Sequence, residues 1–493
     1  MGGRARTWVG AVNAQVAKLY GLIVLMFAVL IGFTSYWSVF DAQALKDKRV
    51  NRRPLLEELQ VHRGTIFADD GSVLARSTRE GRGASRFYVR HYPEGSLFGH
   101  PIGYSFFPLG QSGFERFHND ELVGNKSEFT SILDQLQGQR QQGDNIVSSL
   151  DPAAQRVALD QLAGRAGAVV AIEPQTGKVR ALVSQPPYDP NQITNHFAQL
   201  NKDTSAPLFD RATQSGYAPG STFKVVTATA ALDSGKFTPD SVINGSSPIT
   251  IQGHPLANAG GEQFGPISLT DALTNSVNTV FAQVGEKVGT ATMFKYMDRF
   301  GFNSKPQIDL PSDALAISGV YDRGNLVGPG DAIDIARVAI GQERLLVTPL
   351  QMAEVAATVA NGGELMRPQL WDRVVDPDGR TVKRMNPTVQ SQVMKPATAT
   401  ELNDMMQNVV NDGTAAGVFP SSLHVAGKTG TAELGSGREG CSLPNQAWFI
   451  GFAPADDPKI AVAATIECTS SFGAQVAGPI TRAVMETILS EGQ

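Results

Sequence analysis

The sequence predicts a mixed α/β protein of the α+β kind. A five-stranded antiparallel sheet is closed by the two ends of a long C-terminal domain, a helical lobe is inserted between them, and a small β-rich domain and an N-terminal transmembrane helix precede it. Three observations lead there. Residues 19–40 are 22 residues without a charge. Two apolar β-rich runs, 168–173 and 178–184, flank Pro174-Gln175-Thr176-Gly177 as the arms of a hairpin would. Three more such runs, 427–432, 447–453 and 459–467, stand near the other end, with a mostly helical stretch between the two sets.

Taken in order, the 493 residues leave room for two or three domains at about 150 residues each. Residues 1–18 carry Arg4, Arg6 and Lys18 and are expected to form a cytoplasmic tail. As a helix, 19–40 reaches about 33 Å, slightly more than the ~30 Å hydrocarbon core of a lipid bilayer. Tyr20, Tyr36 and Trp37 stand where aromatic rings prefer the headgroup level. Ala42-Gln43-Ala44 could mark signal cleavage, but the apolar run exceeds a signal core of about 7–15 residues, so an anchor is expected. Lys46, Lys48, Arg49, Arg52 and Arg53 would orient the span the other way by charge count. Long domains translocate largely regardless of flanking charge, so the rest of the chain is expected outside the plasma membrane.

Residues 41–148 mix short strand-like runs with Gly-rich, charged connections, among them Arg63-Gly64-Thr65-Ile66 and Gly110-Gln111-Ser112-Gly113-Phe114-Glu115. They read as a pedestal without a catalytic set. Residues 149–493 read as the main domain: a helix over 151–161, then the strands and lobe, then a last helix with Ile480, Val484 and Ile488 on one face.

The charge balance is 42 basic against 47 acidic residues with no basic stripe, which excludes nucleic acid as a partner. The seven histidines stand apart and only Cys441 and Cys468 are cysteines, so neither a protein-held metal nor a cofactor is expected. In an extracytoplasmic compartment the two cysteines either stay as thiols or pair. A bridge closing 27 residues is worth about 3 kcal/mol in loop entropy.

Chemistry concentrates in three places. Ala218-Pro219-Gly220-Ser221-Thr222-Phe223-Lys224 leads into an Ala-rich helix, which places Ser221 at its N-terminus and Lys224 one turn on. A serine hydroxyl needs a base to become nucleophilic, and a lysine serves only when burial or a second cation lowers its pKa. A plain N-cap serine would look the same, so SxxK alone is weak. Ser276 and Asn278 lie within Leu273–Val284, which reads as helix; an SxN pair fits a loop or helix start, with both side chains in one cleft. Lys428-Thr429-Gly430-Thr431 lies on a predicted strand, where Gly430 leaves room for another backbone. A P-loop is excluded, because Ser422 stands where the first glycine would be needed.

SxxK, SxN and KTG in that order within one domain resemble the penicillin-binding proteins, the serine D,D-transpeptidases that cross-link peptidoglycan. The resemblance covers about residues 149–493. It includes Gly167–Asn191, Asp210-Arg211-Ala212, Gly341-Gln342, Val347-Thr348-Pro349-Leu350-Gln351 and Asn361-Gly362-Gly363. Anchor and pedestal are similar to class B enzymes of the actinobacterial penicillin-binding protein A type, although Ala68-Asp69-Asp70-Gly71 stands where relatives often have Asp-Arg-Asn-Gly. A class A enzyme would need a glycosyltransferase domain, for which residues 41–148 are too short.

The resemblance implies that Ser221, activated by neutral Lys224, attacks a stem peptide ending in D-Ala-D-Ala. The backbone N–H groups of Ser221 and Thr431 form the oxyanion hole. Ser276 relays a proton, Asn278 holds substrate and Lys224, and Lys428 with Thr429 and Thr431 receives the terminal carboxylate. It also implies an amine from a second stem peptide as acceptor, β-lactams as inhibitors, and a glycosyltransferase partner in the cell-shape and division machinery. Three alternatives stay open: a D,D-carboxypeptidase, a class D β-lactamase and a non-catalytic division scaffold.

Overall fold

The computed structural model describes residues 5–39, 61–81, 87–107, 109–124, 142–433, 441 and 443–491. They fall into two units, 1–60 and 61–493.

The first unit is a helix over Ala5–Val39. It begins well before the expected span at residue 19, so the expected cytoplasmic tail is largely helical. Its segment Val16–Tyr36 is long and apolar enough to cross a membrane, and its side chains are exposed. The cleavage-like Ala42-Gln43-Ala44 and the basic residues 46–53 lie outside the described residues.

In the second unit the five predicted strands form one antiparallel sheet in the order Ala426–Glu433, Asn445–Ala453, Ile460–Thr469, Gly167–Ile172 and Val179–Gln185. N-terminal and C-terminal segments meet at its middle, where Val169 pairs with Ala464. Every residue of Asn445–Ala453 is buried, so helices cover both faces. One packing partner is the last helix, Gly473–Glu491, joined by Pro152–Leu162; another is Pro349–Ala360. Local chemistry explains where the latter two start. Asp151 accepts from the N–H groups of Ala153 and Ala154 at 2.9 and 3.0 Å, and Thr348 from that of Gln351 at 3.1 Å. Each is an N-cap followed by proline at the first helical position.

The helical lobe lies between residues 193 and 411. Within it, the expected helix over 273–284 is two helices, Leu269–Thr274 and Asn278–Val288. The break falls at Ser276, whose φ is 58°. Apolar residues keep helical spacing across the break, so 273–284 read as one helix, while the expected placing of the SxN pair at a loop or helix start agrees with Ser276 in the break and Asn278 first in its helix.

The pedestal holds a six-stranded sheet in the order Thr381–Arg384, Trp371–Val375, Asn145–Ser148, Ile66–Phe67, Val73–Glu80, Phe87–His91. Two of its strands therefore come from beyond residue 370. The two phrases noted in this region meet. Glu115, fully buried, accepts from Arg63 Nε at 2.7 Å and Arg90 Nε at 2.5 Å. Burial opposes the charge of Glu115, but the two guanidiniums outweigh it and hold its carboxyl below the usual range. Asp69, in the segment Ala68-Asp69-Asp70-Gly71, pairs with Arg180 on the edge strand of the central sheet.

Candidate active site

Ser221 sits in a 3₁₀ turn, Gly220–Phe223, that runs directly into the helix Lys224–Asp233. Every residue of that helix is buried. The turn is clamped from two sides. Gly220 N donates to Gly341 O at 3.0 Å, and the backbones approach so closely that a Cβ on Gly341 would lie 1.8 Å from Gly220 O. On the other side Trp448 Nε1 donates to Ala218 O at 3.0 Å, and its ring meets that of Tyr217 edge-on. Strand 426–433 presses on the same turn. A Cβ on Gly430 would be 2.8 Å from both Pro219 O and Thr222 Cγ2, and one on Gly220 would be 2.8 Å from Thr431 O. Glycine at 430 thus brings the Thr431 backbone against the Ser221 turn.

Lys224 is fully buried, and its Nζ gathers the SxN residues: it donates to Ser276 O at 2.6 Å and Asn278 Oδ1 at 2.7 Å, with Ser276 Oγ at 3.2 Å. Ser221 Oγ is not among these partners, an arrangement that a bound substrate can tighten. Asn278, the first residue of its helix, anchors its amide by donating to Ala257 O at 3.3 Å. The left-handed backbone at Ser276 lets its carbonyl and hydroxyl face one amine.

Lys428 is also fully buried; its Nζ donates to Thr429 O at 3.2 Å. Burial pulls its pKa down to about 7. Lys224 falls well below the ordinary lysine value, first through burial and second through the like charge of Lys428. The hydroxyls of the remaining KTG-strand residues have protein partners: Thr429 bonds Thr414 Oγ1 at 2.6 Å, and Thr431 accepts from Gly473 N at 3.3 Å.

Cys441 and Cys468 form a disulfide, which resolves the choice left open by the sequence. It joins the segment after strand 426–433 to the end of strand 460–469. Among the described residues no group of three or more His, Cys, Asp or Glu side chains is placed to hold a metal ion.

Several supporting residues escaped sequence reasoning. Trp448 lay inside a run read only as a strand, Thr414 carried no motif, and Gly341 stood out only within the phrase Gly341-Gln342. Tyr217, behind the Ser221 turn, hydrogen-bonds Glu467, which pairs with Arg211 at 3.0 Å. The phrase Asp210-Arg211-Ala212 was the available signal for that network.

Residues 167–486 match the penicillin-binding protein transpeptidase domain family, and residues 63–146 the penicillin-binding protein A dimerisation domain. The peptidoglycan D,D-transpeptidase PbpA of Mycolicibacterium smegmatis is 33% identical, with 97% of this chain and 100% of that protein covered. The protein of the same description from Mycobacterium tuberculosis is 32% identical, with 97% and 99% covered. The structure of penicillin-binding protein A from M. tuberculosis as a ceftriaxone acyl-enzyme complex matches with a TM-score of 0.78 at 33% identity, covering 88% of this chain and all of that one. Sequence, fold and motif geometry agree, and the chain belongs to the penicillin-binding protein transpeptidases of the penicillin-binding protein A type: it is a peptidoglycan D,D-transpeptidase.

Proposed function

We propose that Ser221 is the nucleophile and Lys224 its base. The observation that carries this is the buried Nζ of Lys224, one turn from Ser221, held by two carbonyl oxygens at 2.6 and 2.7 Å. A neutral amine has two protons to give, and those acceptors take both. Its lone pair is then free to receive the proton of a hydroxyl. Ser221 Oγ attacks the carbonyl of the penultimate D-Ala, and the C–N bond to the terminal D-Ala breaks. The proton taken by Lys224 passes through Ser276 to the leaving amine. The N–H groups of Ser221 and Thr431 stabilise the oxyanion, the first at the start of a helix. Lys428, with Thr429 and Thr431, attracts the terminal carboxylate; Asn278 orients Lys224 and the substrate amide.

The segment 19–40 serves as a single-pass anchor in the plasma membrane, with the catalytic domain, residues 149–493, on the extracytoplasmic side and residues 41–148 as its pedestal, completed by the strands Trp371–Val375 and Thr381–Arg384. The exposed apolar helix supports the anchor. A glycosyltransferase of the cell-wall machinery is the proposed partner, docked through the span and the pedestal. The likeness of residues 63–146 to a domain named for dimerisation supports a contact role for the pedestal.

The test is covalent labelling with a fluorescent penicillin followed by peptide mapping. The label is expected on Ser221 and absent from Ser221→Ala. Labelling elsewhere, or persistence in that variant, overturns the assignment.

A further inference from the structure

A buried charged cluster stands behind the Ser221 turn and has no role in the steps above. Tyr217, buried a few residues before Ser221, donates its hydroxyl to Glu467 Oε1, and Arg211 Nε donates to the same oxygen at 3.0 Å. Both charged residues are fixed in turn. Arg211 gives its other two nitrogens to Ala206 O at 3.2 Å and Ser205 O at 2.9 Å. Glu467 N donates to Ala166 O at 2.8 Å, and its neighbour Cys468 is tied to Cys441. Burial first, and the charge of Glu467 second, raise the Tyr217 hydroxyl well above its ordinary pKa, so it stays a donor.

The ring that this hydroxyl orients leads to both sides of the oxyanion position. It meets the Trp448 ring edge-on, with centroids 6.0 Å apart. Trp448 is fully buried and donates Nε1 to Ala218 O at 3.0 Å, just before the Ser221 turn. It also pairs across the sheet with Gly430, where an added Cβ would lie 3.0 Å from the Cβ of Trp448. One indole therefore touches the segment leading to Ser221 N and the strand that carries Thr431 N.

A buried ion pair is a weak source of stability, and apolar side chains of similar volume often serve as well. What apolar packing does not supply is direction. Two donors converging on one carboxylate oxygen fix the tilt of the Tyr217 ring and, through it, the place of the indole. Resting on the catalytic reading above, we propose that Glu467 is a positioning residue, which through Tyr217 and Trp448 sets the spacing between the two backbone N–H groups that receive the oxyanion. Arg211 keeps Glu467 in place.

The experiment follows acylation of the full-length protein in detergent by a fluorescent penicillin over a range of concentrations, which separates noncovalent affinity from the acylation rate constant; thermal unfolding is measured alongside. Tyr217→Phe keeps the ring and loses only the tether. It is expected to lower the rate constant about tenfold, less than the about 10²–10³-fold of losing an oxyanion donor outright, and to leave noncovalent affinity unchanged. Glu467→Ala should behave alike. Glu467→Gln, whose amide oxygen still accepts from the Tyr217 hydroxyl, should recover most of the rate. Because the two residues act in series, the double variant Tyr217→Phe/Glu467→Ala should be no slower than the slower single variant. A purely structural role predicts an earlier thermal transition with an unchanged rate constant in the folded protein. That result in Tyr217→Phe, a loss confined to noncovalent affinity, or a Glu467→Gln as slow as Glu467→Ala overturns the positioning role while wild-type labelling of Ser221 stands. Absence of that labelling in wild type overturns the catalytic reading and the positioning role with it.

Discussion

Replacing Gly341 with alanine tests whether the Ser221 turn is held by backbone contact. The new Cβ would lie 1.8 Å from Gly220 O, where ordinary contact begins near 3.4 Å. The two segments must therefore separate by roughly 1.5 Å, a displacement of the size that costs about 10²-fold in rate near reacting groups. Gly341 also has φ of 77°, which adds about 1–2 kcal/mol for any residue with a Cβ. Gly362→Ala separates the two effects, because Gly362 has φ of 62° but nothing within 4 Å of the added carbon. Both variants should lose similar stability from backbone strain in thermal unfolding, with a further loss in Gly341→Ala. Only Gly341→Ala should lose about 10²-fold in its rate of acylation by a fluorescent penicillin. If the folded Gly341→Ala protein acylates within about threefold of Gly362→Ala, the contact does not position the nucleophile.

Three further outcomes follow from the same geometry. With Lys428 held near a pKa of about 7, rising pH removes the charge that attracts the substrate carboxylate, so acylation of the free enzyme should decline above neutrality. Lys428→Arg, which keeps its charge, should lack that decline, and an unchanged alkaline limb in its pH profile would contradict the assignment. Asn278→Asp places a carboxylate beside Lys224 and should raise the pKa of its amine by about 1–3 units. Acylation should then fall at neutral pH and recover relative to wild type at each pH as pH rises, whereas Asn278→Ala should lose rate without that relative recovery. Removing the disulfide with Cys441→Ser and Cys468→Ser should lower stability by about 3 kcal/mol, the loop-entropy value for its 27-residue separation, seen as an earlier thermal transition than in the oxidised protein.

The strands were legible because each is an apolar β-rich run bounded by turn residues, and all five appear within a few residues of where the sequence places them. The catalytic motifs were legible because serine, lysine and asparagine at short spacings have few other reasons to recur in that order. What escaped is non-local. Nothing near residue 371 signals that its strand will pair with Asn145–Ser148, since the partners are more than two hundred positions apart. Trp448 reads as one more aromatic in a strand until the loop before Ser221 is laid against it. The break at Ser276 was only half legible: the SxN pair pointed to a loop or helix start, while Leu273, Val277, Val280 and Val284 continue the apolar face of one helix through a residue whose backbone is left-handed.

The two buried lysines show how burial and charge divide the chemistry. The sequence left open whether burial or a second cation lowers the pKa of Lys224, and the resemblance gave Lys428 the carboxylate. The site ranks the two causes. Burial is the larger cause of the shift at Lys224, and the charge of Lys428 comes second. A downward shift owed first to burial persists in its larger part when Lys428 loses its own proton. The same holds when a bound carboxylate offsets that charge. Had the like charge been the main cause, substrate binding would weaken the base at the moment it is needed. Full burial of Lys224 in the helix 224–233, against the ring of Phe281 at 5.6 Å, avoids that conflict for the proposed base and is compatible with the recognition role proposed for Lys428.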